Sequence, residues 1–218
     1  MKKKIASYKM DLLNDDSPYT IEALSKTPPI FRVVDFLTED ECFDLITTAH
    51  PLIGPSKVVG GGSFDRTSSS CHLPKSKCTV LVQKVLALLK DSSTERMELP
   101  QIARYLVNEK YNAHYDSPEP IHTAFHENGG ARSVTILCYL NDVAEGGETE
   151  FQKLDLRIKP RRGDAIVFFP TFNDGSIDYD TLHAALPMRN QDSIKWVSQI
   201  WMRHKDHTEG IPSDTEFY

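Results

Sequence analysis

Three residues of this 218-residue chain have the types and placing to hold one metal ion: His114, Asp116 and His183. His114-Tyr115-Asp116 sets a histidine and a carboxylate two apart, and on a strand residues i and i+2 share a face, so both can reach one ion. That spacing alone is weak. Eight histidines and 31 acidic residues yield about one H-x-[D/E] by chance, and the chain has three. The other two, His204-Lys205-Asp206 and His207-Thr208-Glu209, sit in a charged tail without apolar alternation and read as solvated surface. His114 instead ends a β-like run and opens on a Pro-rich loop, the kind of junction where sites are built. His183, in Asp180-Thr181-Leu182-His183-Ala184-Ala185, is the candidate third ligand. Two histidines and one carboxylate on one side of a metal leave three positions open, the set that suits a non-haem iron(II) centre.

A co-substrate such as 2-oxoglutarate, chelating that ion through its keto acid end, leaves a second carboxylate buried and in need of a cation. Lys195 fits that need. It opens Lys195-Trp196-Val197-Ser198-Gln199-Ile200-Trp201, whose alternation puts Lys195, Val197, Gln199 and Trp201 on one face. A lysine on a strand equally well protects an exposed sheet edge, and spacing leaves both readings open. His122 and His126, four apart, could hold zinc on a helix. The pair lacks the adjacent glutamate of a metalloprotease and lies between proline and glycine signals, so a mobile substrate loop is the better reading.

The elements that must position these residues begin with helices. Thr38-Glu39-Asp40-Glu41 is a capping box, Cys42, Leu45, Ile46 and Ala49 keep helical spacing, and Pro51 stops the run. A second helix is expected over 76–91, with Val80, Leu81, Val85, Leu88 and Leu89 as its apolar stripe. Residues 54–75 contain Gly60-Gly61-Gly62-Ser63 and Ser68-Ser69-Ser70 and read as a long flexible loop. Within it Arg66 is the residue to watch, and 57–75 and 117–131 are expected lids. Beyond Pro100 the texture turns to short β-type runs, placed at 101–108, 111–116, 132–140, 156–159, 164–169, 181–185 and 194–203. Gly146-Gly147 marks a turn between strands. The expected fold is mainly β, a jelly roll with the N-terminal helices packed outside.

Length and composition, 39% hydrophobic and 26% charged, suit one ordinary globular domain. Residues 1–30 read as an N-terminal arm or short edge elements, 31–205 as the catalytic domain and 206–218 as a polar tail. A net charge of −6 offers no footprint for phosphate backbones, so nucleic acid is not an expected partner. No apolar stretch approaches the roughly 20 residues of a membrane span, and acidic residues follow the first lysines before any apolar run. A cytoplasmic protein is expected, with oligomeric state open. Cys42, Cys71, Cys78 and Cys138 form no C-x-x-C pair and are expected as free thiols.

From Phe36 to Arg203 the chain resembles the prolyl 4-hydroxylase catalytic domain. The resemblance is carried by Phe36-Leu37-Thr38-Glu39-Asp40-Glu41-Cys42, Tyr105, Tyr111-Asn112-Ala113-His114-Tyr115-Asp116 and the run from Tyr139-Leu140-Asn141-Asp142 through Glu145-Gly146-Gly147-Glu148-Thr149-Glu150-Phe151. Pro160-Arg161-Arg162-Gly163-Asp164, His183, and Lys195-Trp196 through Trp201 complete it in order. It implies a double-stranded β-helix with His114, Asp116 and His183 on iron(II) and Lys195 on the distal carboxylate of 2-oxoglutarate. It implies also that Tyr105 reaches the co-substrate, that Thr135 points into the same cavity, and that Tyr111, Arg132 and Trp201 line a peptide groove. The implied reaction takes 2-oxoglutarate and O2, with ascorbate as helper, to succinate and CO2 while hydroxylating C4 of a proline in a peptide or protein. Tyr139 reads as core and Glu148 as non-catalytic. Ala184-Ala185-Leu186-Pro187-Met188 departs from the family's glycine and Pro-Val after the distal histidine, and residues 117–130 are this chain's own; both bear on substrate choice. The same chemistry on a non-prolyl target is the nearest alternative, and a non-catalytic metal-binding jelly roll is the alternative from another class.

Overall fold

The computed structural model describes Leu13 and residues 17–56, 65–90, 92–118 and 126–208. The described strands are β1 (Thr20–Lys26), β2 (Pro29–Val34), β3 (Gly54–Pro55), β4 (Ser69–His72), β5 (Gln101–Tyr105) and β6 (Tyr111–His114). They continue with β7 (Arg132–Tyr139), β8 (Thr149–Phe151), β9 (Leu156–Ile158), β10 (Ala165–Phe168), β11 (His183–Ala185) and β12 (Lys195–Arg203). Eight form one sheet in the order β1-β2-β10-β7-β12-β5-β4-β3, and four form a second, β6-β11-β8-β9. Strands far apart in sequence are antiparallel neighbours in both, which is the expected double-stranded β-helix.

Parity along the strands of the large sheet separates two cores. Phe31, Val33, Val134, Ile136, Cys138, Ala165, Val167, Ile200 and Met202 face the helices α1 (Glu39–Ala49) and α2 (Thr79–Leu88), meeting Cys42, Leu45, Leu81, Val85 and Leu88. Ile30, Ala103, Tyr105, Leu137, Tyr139, Ile166, Phe168 and Val197 belong to the other core, with Phe151 and Ile158 of the small sheet. Covered on both faces, β12 is buried along its whole length.

The capping box forms as expected: the Thr38 hydroxyl accepts from the Glu41 amide, and the Glu41 carboxylate accepts from the Thr38 amide at 2.8 Å. Helix α2 is shorter than expected at both ends. Lys75–Lys77 is a separate 3-10 turn broken from α2 by the non-helical Cys78, and Leu89 is extended, bridging to Leu13.

Of the two readings of residues 1–30, the edge element holds for Thr20–Lys26: β1 is paired along its length with β2. Residues 54–75 are not one flexible loop. Residues 57–64 lie outside the described residues, but β3 and β4 extend the large sheet beside β5, because Ser69-Ser70-Cys71-His72 finds a free edge there. All four cysteines are free thiols. Among the described residues no helix is long and apolar enough to cross a membrane.

Leu88 has no exposure and anchors the end of α2. Leu88→Ala is expected to cost about 2–5 kcal/mol in urea unfolding, while leaving metal affinity within error, since the residue faces the helix-side core.

Candidate metal centre and co-substrate pocket

His114 is the last residue of β6 and His183 the first of β11, and the two are directly paired across the small sheet. Asp116 lies just past the end of β6. Its Oδ1 is 3.5 Å from His114 Nε2 and 3.6 Å from His183 Nε2. One ligand atom from each of the three lies within 4.8 Å of the others, so strand pairing brings together what 68 intervening positions separate in sequence.

Each imidazole is held from behind. His114 Nδ1 is 2.8 Å from the Asn112 carbonyl and His183 Nδ1 is 3.0 Å from that of Thr181. A carbonyl only accepts, so each Nδ1 carries the proton and each Nε2 lone pair faces its partners, the arrangement of a metal-ligating histidine. His114 Nε2 is buried with no hydrogen-bond partner among the described residues, as a ligand atom awaiting a metal would be. His183 is pushed down to about 4, by burial first and then by His114, which keeps it neutral. Burial would push the Asp116 carboxyl up, but His183 and His114 outweigh it and hold it well below the usual range. Phe151 and Phe168 pack against the His183 ring at centroid distances of 5.5 and 4.8 Å. The donor set therefore fits iron(II) in number, type and protonation.

Lys195 is 2% exposed. It sits on a central strand between β7 and β5, which removes the edge-protecting reading. Its Nζ donates to the Gly147 carbonyl at 2.7 Å and lies 5.3 and 5.7 Å from the ring centres of Tyr105 and Tyr139. The Gly146-Gly147 turn that offers this carbonyl has φ of +76° and +71°. A Cβ at Gly146 would come within 2.6 Å of the Pro187 carbonyl, so glycine is required there. Burial pushes the Lys195 ammonium down to about 7, against the attraction of Glu148. Tyr139 is buried core, its hydroxyl donating to Thr149 at 2.8 Å.

Other expected site residues stand differently. Thr135 donates its hydroxyl to Asp116 Oδ2 at 2.7 Å, so it holds the carboxylate. Arg132 binds Glu98 through Nε and Nη2 at 2.8 and 2.7 Å, gives Nη1 to the Asp116 carbonyl at 2.8 Å, and lies 3.9 Å from the Trp201 ring centre. It is engaged within the protein. Arg66 donates to Ser68 and Gln101 at 2.9 and 2.8 Å and covers Tyr111 at 4.8 Å, while Tyr111 stacks on His114 at 3.6 Å and 13°. Of the two expected lids, residues 119–125, with His122, lie outside the described residues, as do 57–64. His126 Nε2 is 3.3 Å from the Pro118 carbonyl.

Sequence reasoning passed over Glu98, Ser68, Gln101 and Gln199. Glu98 lies in an unpatterned charged stretch and Ser68 in a run that reads as flexible; only pairing reveals them. Gln199 Oε1 and Trp201 Nε1 are buried without partners among the described residues, two apart on the Lys195 face of β12.

The model of the 2OG-Fe(II) oxygenase superfamily matches residues 100–203, the span that holds every candidate ligand. Probable prolyl 4-hydroxylase 3 of Arabidopsis thaliana is 34% identical over 83% of this chain and 71% of its own length. Prolyl 4-hydroxylase 13 of the same plant is 31% identical over 84% and 74%. The chain belongs to the prolyl 4-hydroxylase family of 2OG-Fe(II) oxygenases. Its fold is similar to that of a viral collagen prolyl hydroxylase from Paramecium Bursaria Chlorella virus-1, solved as a 2OG complex, with a TM-score of 0.61 and 25% identity over 80% of this chain and 95% of that one.

The displaced titration of Lys195 sets a slope on stability. Between about pH 7 and 10.5 the unfolded chain binds more protons at this residue than the folded chain, so its contribution to stability grows as pH rises through that window and is lost as pH falls. Urea unfolding at pH values inside the window is expected to show that slope in the parent protein and its flattening in Lys195→Met.

Proposed function

We propose that this chain hydroxylates C4 of proline in a peptide or protein, with iron(II) on His114, Asp116 and His183 and the far carboxylate of 2-oxoglutarate on Lys195. One observation carries this reading: three convergent ligand atoms, one with no hydrogen-bond partner among the described residues, share an interior with a buried amine whose side-chain hydrogen bond among those residues is to a backbone carbonyl. When bound, iron(II) with 2-oxoglutarate and O2 supplies the oxidising chemistry and releases succinate and CO2.

The chain's own residues do the positioning. The Asn112 and Thr181 carbonyls keep both Nε2 atoms unprotonated and aimed inward. Thr135 holds Asp116 Oδ2, leaving Oδ1 for the metal. Lys195 exchanges the Gly147 carbonyl for the co-substrate's carboxylate between the rings of Tyr105 and Tyr139, where exclusion of water strengthens the charge pair. Tyr111, lying flat on His114, and Trp201 wall the place for the substrate's proline ring, and Arg66 supports Tyr111 from its other face.

Iron(II), ascorbate, 2-oxoglutarate and a proline-containing peptide are expected to yield succinate and one added oxygen on proline in equal amounts. Mass spectrometry of the product locates that oxygen, and an oxygen on any other residue would overturn prolyl specificity. His114→Ala should abolish both products; retained turnover refutes the site.

Lys195→Ala should raise the 2-oxoglutarate requirement at least tenfold with iron binding kept, on the order expected when a charge-assisted bond to a buried anion is lost. In the parent protein the protonated amine is the binding form, so above about pH 7 each bound 2-oxoglutarate draws in a proton and affinity weakens as pH rises. Calorimetry in buffers of differing ionisation heat reads that uptake directly; zero uptake at alkaline pH would separate Lys195 from the carboxylate.

A further inference from the structure

A loop leaves the metal ligand Asp116 and returns at Arg132, and one ionic cluster holds both of its ends. At the start, Arg132 Nη1 donates to the Asp116 carbonyl at 2.8 Å. At the far end, Arg203 Nη1 donates to the carbonyls of Asn128 and Gly130 at 2.9 and 3.4 Å. Glu98 joins the two arginines. Its Oε1 accepts from the Nε of both, at 2.8 and 2.9 Å, and its Oε2 accepts from Arg132 Nη2 at 2.7 Å. The three side chains are 14%, 8% and 8% exposed. Burial would push the Glu98 carboxyl up, but Arg132 first and then Arg203 outweigh it and keep it charged.

The surroundings leave this loop end little freedom. Lys205 and His204 amides donate to the Gly129 and Ala131 carbonyls, and Asn128 and Thr208 exchange two hydrogen bonds. Gly129 has a φ of +92°, and a Cβ there would come within 2.6 Å of His207 Cβ. Two guanidiniums on one carboxylate are costly to desolvate and give little stability for it, whereas removing one member leaves the others buried and unpaired. An arrangement of that kind earns its place by fixing geometry.

We infer that Glu98, Arg132 and Arg203 are positioning residues that tie the loop beside the site to the backbone of Asp116, so that loop anchorage and metal geometry are set together. Arg132 thereby acts through Asp116 and not by touching peptide. The inference rests on the proposed metal role of His114, Asp116 and His183.

The test is Co(II) binding to the metal-free protein, followed by calorimetry, beside hydrogen exchange of the amides at 126–131. Glu98→Gln is expected to weaken Co(II) roughly 10- to 100-fold, the usual loss when a partner that orients a ligand is removed, and to speed exchange at 126–131. Arg203→Lys, which keeps the charge but not the forked contacts, should give a smaller loss of the same kind. Unchanged Co(II) affinity in both variants, with only the peptide KM raised, overturns the inference and returns Arg132 to the groove. Failure of the parent protein to bind Co(II) sinks the metal reading itself. If Glu98→Gln does not fold by circular dichroism, Arg132→Lys, whose compact ammonium cannot span the Glu98 carboxylate and the Asp116 carbonyl as the guanidinium fork does, decides the question in its place.

Discussion

A carboxylate almost without exposure to water governs the architecture around it. Asp116 must be met from every side or be protonated: the Thr135 hydroxyl donates to Oδ2 and the Arg132 guanidinium holds the main-chain carbonyl, while the two Nε2 lone pairs that face Oδ1 offer it no proton. These groups come from β6, β7 and β11, so assembling them around one anion requires both sheets to be in register. In the proposed role a metal cation would fill the place between Oδ1 and the two lone pairs, with the ordering cost falling on folding and not on binding.

The large sheet divides labour by parity. On β12 the even-numbered residues Trp196, Ile200 and Met202 pack toward the helices, while Lys195, Gln199 and Trp201 present a cation, an amide and an indole to the interior. A strand filled on both faces is rigid, and rigidity is what a buried amine requires. Lys195 is kept among aromatic rings where burial works against its charge. In its proposed role the anion would restore that charge on arrival, so that affinity for the co-substrate and stability of the empty protein would be opposed at a single residue.

How much of this was legible in the sequence depends on whether a feature is local. The capping box at Thr38, the turn at Gly146-Gly147 and the alternation of β12 are written in neighbouring residues, and the structure has all of them. His183 could be offered as a third ligand from its short run, but no spacing rule ties it to His114, and the resemblance supplied that link. For β1 the choice between arm and edge element stayed open, and β4, serine-rich, reads as loop: only the neighbour each pairs with makes it a strand. Arg132 and Thr135 are inside the site region, but the sequence does not say which way a donor is committed. Glu98, held by two arginines distant in sequence, left no local trace at all.

The segment that carries Arg66 crosses from one sheet to the other. Arg66 bridges to Tyr111 on the small sheet, and by Ser69 the chain has joined the large sheet beside Arg104. Three residues of extended chain reach roughly 10 Å, about the separation of two packed sheets. The chain there works as a gauge. It is long enough to span the gap between the two sheets and too short to let them part, so their spacing on this side is written into the number of residues between two pairings, and a single insertion would slacken it.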